Sequence, residues 1–303
     1  MVEVKIGRLR LANPVMAASG TFGYGEEYNR LFDINSLGAI VTKTITLKPR
    51  IGNPPPRIVE TPSGMLNSIG LENKGLDDFL KTRAQPLKRL KTKVIVSIAG
   101  ETAQELKILT GRVSSSGAAD AIELNLSCPN VKGPGMAARD VEAARKIVKA
   151  VRKAVKLTLI AKLSPNVTDI AEIAKAVEDA GADAVSLINT FPAMAVDINT
   201  QRPILGNATG GLSGPAIKPI ALKMVWDAYN AVKIPIIGIG GIMSAQDAIE
   251  FILCGASAVQ VGTANFINPK ASLEIIEGIE KYLKKKNLKD VNELIGRLRI
   301  WPR

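Results

Sequence analysis

The chain has 303 residues, 46% of them hydrophobic and 4% aromatic, with 40 Lys and Arg against 28 Asp and Glu for a formal charge of +12. That composition excludes a disordered chain and fits a soluble, well-cored α/β protein. Histidine is absent, which excludes His-dependent triads, H-E-x-x-H metal helices and imidazole bases, and leaves Cys, Asp, Glu, Lys, Tyr or Ser for acid/base chemistry.

Residues 1–11 alternate with period two around Gly7-Arg8 and predict a β-hairpin that plugs the fold beyond it. Short β-rich runs follow at 15–18, 39–44, 94–99, 121–127, 157–163, 184–190, 234–240 and 258–263. Between them, apolar residues at three- and four-residue spacing predict helices over 101–118, 138–154, 168–180, 215–231, 244–254 and 269–285. Thr168 and Ser244 are the N-cap candidates of two of them, each followed by first-turn carboxylates. Eight strands alternating with helices predict a closed (β/α)8 TIM barrel, one domain over 1–303. An open doubly wound sheet is the alternative, but it needs its glycine-rich loop after the first strand, whereas here the glycine clusters follow the seventh and eighth. Two connections, 45–74 and 191–214, exceed the repeat and are expected to act as functional lids. Pro49, Pro54, Pro55, Pro56 and Pro62 bar a long helix from the first, and the second is rich in Gly, Pro and Asn. The basic tail at 284–290 reads as a solvated helix end.

In such barrels catalytic groups stand where strands end. The strand ends here carry Ser19-Gly20, Lys43-Thr44, Ser97, Asn125, Ser127-Cys128, Lys162, Asn189-Thr190, Gly240-Gly241 and Gly262-Thr263. Each alone could be a cap or a solvated loop residue; their convergence on one rim points to a site. Glycines after strands seven and eight suit a phosphate, because exposed backbone N–H groups can approach the anion, although tight turns also need glycine for steric reasons. Lys43 and Lys162, expected on opposite sides of the barrel, suggest a shared anionic ligand such as a reduced flavin; a Schiff-base lysine is the competing chemistry. Cys128, in Asn125-Leu126-Ser127-Cys128-Pro129-Asn130 ahead of a Gly/Pro-rich stretch, is placed to act as base or nucleophile, and nearby lysines would favour its thiolate. Cys254 reads as a small hydrophobe near a helix C-terminus.

Two cysteines are too few for a disulfide framework or for the four thiolates of an ordinary iron–sulfur cluster, and a cytoplasmic address is expected. Glu3 and Lys5 stand where a signal peptide needs its apolar core, and no run reaches the ~18 apolar residues of a membrane span. The basic residues are dispersed and not interleaved with aromatics, so a small anionic ligand is expected in preference to nucleic acid. No metal site is expected.

Ala18-Ser19-Gly20, Val41-Thr42-Lys43-Thr44, Asn67-Ser68-Ile69-Gly70-Leu71, the segment Asn125 to Asn130, Ile188-Asn189-Thr190, Gly240-Gly241 and Gly262-Thr263 together resemble the class 1 dihydroorotate dehydrogenases across nearly the whole chain. Asn130-Val131-Lys132-Gly133 is more similar to the class 1B catalytic subunit than to the fumarate-using class 1A enzyme. Class 2 enzymes carry an N-terminal membrane extension and a serine base, neither of which is expected here. The resemblance implies one FMN per chain across the barrel mouth, its phosphate held around Gly214, Gly240, Gly241, Gly262 and Thr263. It implies flavin contacts from Ser19, Lys43, Thr44, Asn125, Lys162 and Ile188. It further implies that Lys43, Asn67, Ser68, Ile69, Gly70, Leu71, Asn125, Asn189 and Thr190 hold dihydroorotate or orotate, and that Cys128 removes the C5 proton while the C6 hydride passes to the flavin. For class 1B it implies a homodimer core with a second subunit that carries FAD and a [2Fe–2S] cluster and delivers electrons to NAD⁺. Two cysteines put that cluster in trans.

Three rivals remain at this stage. A flavin-free phosphate-binding aldolase or isomerase barrel would use Lys162 in a Schiff base. A tRNA dihydrouridine synthase would also pair FMN with a catalytic cysteine and use the positive charge, but about forty residues after strand eight are too few for its usual helical RNA-binding domain. A non-catalytic binding module leaves the convergent Lys, Asn and Cys unexplained.

Overall fold

The computed structural model describes residues 2–127 and 140–302. β1 (Val4–Ile6) and β2 (Leu9–Leu11) form the antiparallel hairpin, with Ile6 opposite Leu9 across Gly7-Arg8. Gly7 takes φ +58, and a Cβ there would stand 2.8 Å from Asp183 Cβ. Arg8 N donates to Thr158 Oγ1 at 3.1 Å, so the hairpin seals the amino-terminal end of the barrel with Val4, Ile6, Leu9 and Leu11 buried.

Eight parallel strands close that barrel: β3 (Val15–Ala17), β4 (Ala39–Val41), β7 (Lys93–Ile98), β8 (Ala121–Asn125), β9 (Thr158–Lys162), β10 (Ala184–Leu187), β15 (Ile236–Ile239) and β16 (Ala256–Val261), which pairs back onto β3. Their near-continuous apolar runs suit strands covered on both faces. The cover is α3 (Ala103–Ser116), α4 (Val141–Arg152), α5 (Ile170–Asp179), α6 (Lys218–Ala231), α7 (Ala245–Leu253) and α9 (Ala271–Lys285). Each turns an apolar stripe inward, as Ile275, Ile279 and Leu283 do on α9. The lysines at 284–286 that end α9 are exposed, as a solvated helix end requires. No helix among the described residues is long and apolar enough to cross a membrane.

The structure corrects several local expectations. Several strands stop before their polar ends, though β8 and β9 do not: β4 ends at Val41, and Lys43 N leaves the ladder to donate to Gly23 O at 2.8 Å. Asp169, not Thr168, caps α5, because its carboxylate reaches the N–H of Ala171 at 2.8 Å. Ser244 caps α7 as expected, in a reciprocal box with Asp247. A helical stretch absent from the sequence reading comprises α1 (Gly75–Asp78), a π turn (Phe79–Arg83) and α2 (Ala84–Lys88), and buries Leu76, Phe79 and Leu87. Its π turn and Pro86 break the helical period that would have marked it. A four-residue α8 (Ala264–Ile267) was also missed.

The two long connections join in one sheet. β5 (Ile58–Thr61) and β6 (Gly64–Asn67) from the first pair with β11 (Phe191–Met194) and β14 (Thr209–Ser213) from the second in one antiparallel sheet, ordered β11-β14-β6-β5. A two-residue ribbon, β12 (Val196–Asp197) with β13 (Arg202–Pro203), extends the second connection.

Candidate active site

β15 and β16 are neighbours with Ile239 opposite Gln260, so Gly240-Gly241 and Gly262-Thr263 emerge side by side at the carboxyl rim. Among the described residues no backbone acceptor outside the strand ladders takes the N–H of Gly241, Gly262 or Thr263. Gly241 is buried, and buried N–H groups left without an acceptor are rare in folded proteins unless a ligand or water completes them. Such convergent donors form an anion cradle. Gly214 belongs to the same corner, because a Cβ on Gly241 would stand 2.8 Å from Gly214 O and one on Gly214 would stand 3.5 Å from Thr263 Cγ2. Thr263 Oγ1 donates to Ser213 Oγ at 2.9 Å. Ile188 Cγ1 lies 3.5 Å from where a Cβ on Gly240 would be.

Behind this corner Lys218, which opens α6, bridges to α7 through Asp247 Oδ1 at 2.6 Å and Glu250 Oε2 at 2.9 Å. Burial pushes the Asp247 carboxyl up, but the Lys218 ammonium, the Met243 N–H and the Ser244 hydroxyl outweigh it and hold the group below its ordinary value. A carboxyl that ionises more readily folded than unfolded contributes its full stability above about pH 3.9, and loses it as pH falls through the lower folded value. Asp247→Asn, which keeps an oxygen for the Met243 and Ser244 N–H groups but loses the charge facing Lys218, is therefore expected to cost about 1 kcal/mol, a fall of roughly 2–4 °C in Tm at pH 7. The gap from wild type should narrow below about pH 4. Identical melting curves at pH 7 would show that the clamp contributes nothing.

A second group lines the other side of the rim. Ser19 Oγ donates to Thr42 O at 2.8 Å and shares a hydrogen bond with Thr44 Oγ1 at 3.1 Å, which shares another with Ser97 Oγ at 2.9 Å. This hydroxyl chain crosses the ends of β3, β4 and β7, and a Cβ on the adjacent Gly20 would meet nothing within 4 Å. Lys43 is half-buried, and no carboxylate of the described residues pairs with its ammonium. Lys162 ends β9 at 7% exposure, its Nζ 3.7 Å from Glu123 Oε1. The two lysines stand three strands apart round the ring, not diametrically opposite, and Lys162 already faces a carboxylate of the chain itself. The sequence reading left Ser97 without a role and passed over Glu123, Ser186 and Gln260. Their signal was present as polar residues inside apolar strand runs. The last three come from alternate strands β8, β10 and β16, as members of one interior layer of such a barrel do.

Amide side chains continue the site. Asn189 Nδ2 donates to Asn125 Oδ1 at 3.4 Å, and Thr190 N donates to Asn189 Oδ1 at 2.8 Å. Gly211 leaves room for Thr190, whose Oγ1 lies 2.0 Å from where a Gly211 Cβ would sit, and Asn67 Nδ2 donates to Gly211 O at 3.2 Å. Asn125, Asn189, Thr190 and Asn67 thus form one line from the barrel to the antiparallel sheet. Ser68 is buried, and its hydroxyl accepts from Asn53 Nδ2 at 3.0 Å. Asn53 N also donates to Ile69 O at 3.1 Å, and Gly70 and Leu71 continue with φ +72 and +56. Asn53 therefore fixes the turn 68–71, a role the sequence reading did not assign.

Cys128 lies outside the described residues. Ser127, one residue before it, has a buried Oγ with no partner among the described residues. Cys254 is buried at the C-cap of α7, where burial and then Glu250 push its thiol up, in keeping with a packing role. No group of three or more His, Cys, Asp or Glu among the described residues could hold a metal ion.

A family model described as dihydroorotate dehydrogenase matches residues 1–283. The chain is 58% identical over 296 residues to the dihydroorotate dehydrogenase B (NAD(+)) catalytic subunit of Desulforamulus reducens, covering 97% of each. The protein of the same name from Trichlorobacter lovleyi is 55% identical over 298 residues, 98% of each. That from a Thermoanaerobacter species is 53% identical over 300 residues, 99% of each.

Proposed function

We infer that this chain, which belongs to the dihydroorotate dehydrogenase family, is the catalytic subunit of an NAD⁺-linked class 1B enzyme that oxidises L-dihydroorotate to orotate in pyrimidine biosynthesis. The observation that carries the reading is the anion cradle at β15 and β16 lying on the same rim as the hydroxyl chain, two lysines and a line of amides.

The residues fit FMN: among the described residues the buried N–H of Gly241 has no acceptor outside the strand ladders, and space is open over Gly20. When bound, FMN supplies the acceptor for the C6 hydride. The N–H groups of Gly240, Gly241, Gly262 and Thr263, with Gly214 beside them, would hold its phosphate. Ser19, Lys43, Thr44, Asn125, Lys162 and Ile188 would line the ring. Asn67 through Leu71, Asn125, Asn189 and Thr190 would orient the substrate's ring amides and carboxylate, with Lys43 adding charge. Cys128 would take the C5 proton.

The name of the relatives, a catalytic subunit, supports a partner subunit. In our reading that partner carries FAD and a [2Fe–2S] cluster, since this chain has two cysteines, and it joins a homodimeric core in the cytoplasm. Neither nucleic acid nor membrane enters the reading.

The test is anaerobic addition of L-dihydroorotate to the FMN-reconstituted chain while the visible flavin band is followed. Bleaching is expected, and NAD⁺ should then restore the band only with the partner subunit present. Bound FMN that does not bleach would overturn the substrate; failure to bind FMN would overturn the flavin assignment.

A further inference from the structure

Beneath the rim the barrel encloses a carboxylate. Glu123 on β8 is 0% exposed; its Oε2 accepts from Gln260 Nε2 at 2.7 Å and from Ser186 Oγ at 3.1 Å. Its Oε1 has no hydrogen bond among the described residues and faces Lys162 Nζ at 3.7 Å. Enclosing a carboxylate and an ammonium carries a heavy desolvation penalty, and well-packed apolar side chains often serve stability as well or better. Stability alone does not account for three strands directing polar side chains onto one carboxylate. Among the described residues Lys162 has no other polar partner, and the 3.7 Å separation is an ion pair longer than a hydrogen bond. The carboxylate anchors the ammonium while leaving its donors for a ligand at the rim.

We propose that Glu123 is a positioning residue that holds Lys162 against the flavin, strengthening FMN binding and raising the potential of the bound flavin. The proposal rests on the FMN reading above. A cation beside the flavin favours its reduced, negatively charged form; a lysine with four rotatable carbons delivers that charge reliably only if something fixes its far end.

The test is a double-mutant cycle of Glu123→Gln and Lys162→Gln. FMN dissociation constants are measured on the full chain by flavin fluorescence, and midpoint potentials by dye equilibration. Glutamine keeps the shape of the side chain and an oxygen to accept from Gln260 and Ser186. In the wild-type background Glu123→Gln is expected to weaken FMN about tenfold, the scale on which residues behind a binding group act, and to lower the potential. With Lys162→Gln already present it should change FMN affinity by less than about twofold, the usual error of additivity. Wild-type affinity in Glu123→Gln would overturn the proposal. So would an equal loss in both backgrounds, which assigns Glu123 to packing, or a raised potential, which means the carboxylate acts only by its charge. Should Glu123→Gln fail to fold, Gln260→Leu carries the cycle: it removes one anchor of the carboxylate and keeps both charges, and unchanged FMN affinity would overturn the proposal. Failure of the FMN reading is distinct, because the wild-type chain itself would then bind no FMN.

Discussion

Replacing Cys128 by alanine is expected to cut dihydroorotate turnover near neutral pH by about 10²- to 10⁴-fold, the range a positioned general base contributes. The chain has no histidine, so the usual base of tunable proton affinity is missing. The side chains assigned to the site above are hydroxyls, amides and two lysines, and ammonium groups do not accept protons; Glu101, in the loop after β7, is held in an ion pair by Arg50 at 2.6 Å. Glu123 lies below the rim at 0% exposure, with Oε2 committed to Gln260 and Ser186. Cys128 follows β8 by three residues, and Asn125 at the end of that strand accepts from Asn189 in the amide line. The glycine corner proposed to hold the phosphate is on β15 and β16, three and four strands away round the ring. FMN should therefore remain bound in Cys128→Ala while anaerobic flavin reduction, followed by stopped flow, slows by the stated factor. Reduction at the wild-type rate would remove the cysteine from its role; loss of FMN together with activity would place the thiol in cofactor binding.

How much of this was legible in the sequence follows from which interactions are local. The barrel strands announced themselves because strands buried on both faces are short apolar runs, and 93–98 or 256–261 admit few other readings. The sheet over the rim did not. β14 reads Thr-Gly-Gly-Leu-Ser, with two glycines of low strand propensity, and its partner β6 lies far off in sequence, Asn67 meeting Gly211 across 144 positions. Those glycines serve the pairing directly, since a Cβ on Gly210 would stand 2.7 Å from Asn67 O. At the site, the rim residues could be found because barrel geometry says where to look. Glu123 and Gln260 were missed by the same rule, which directs attention to strand ends and away from the layer beneath. The sequence showed a Glu within Ala-Ile-Glu-Leu-Asn, but only the closed ring brings Gln260 and Ser186 onto it.

Gly241→Ala should release FMN by roughly 100-fold or more while leaving a folded barrel. The residue sits at φ +71, a region that costs non-glycine residues about 1–3 kcal/mol when the surroundings enforce it. Strain alone would lower stability and spare the ligand. The contacts make the effect local: the added Cβ would stand 2.7 Å from Lys218 Cβ, 2.8 Å from Gly214 O and 3.0 Å from Lys218 N. The last two are backbone: Gly214 O begins the 3-10 turn (Pro215–Ile217) that leads into α6 and accepts from Ile217 N, and Lys218 opens α6 and is tied to α7 by Asp247 and Glu250, so neither wall gives way easily. The turn carrying Gly240 and Gly241 must move instead, turning their N–H groups away from the phosphate. Losing two charge-assisted hydrogen bonds at about 1.5 kcal/mol each amounts to about 3 kcal/mol, close to 100-fold in affinity. The measurement is FMN titration of the apoprotein beside its thermal melt. A lowered melting temperature with unchanged FMN affinity would mean the phosphate binds elsewhere on the rim. A large affinity loss with a melting temperature lowered by only a few degrees is the outcome the cradle requires, because the displaced groups would then be donors to the ligand and not supports of the barrel.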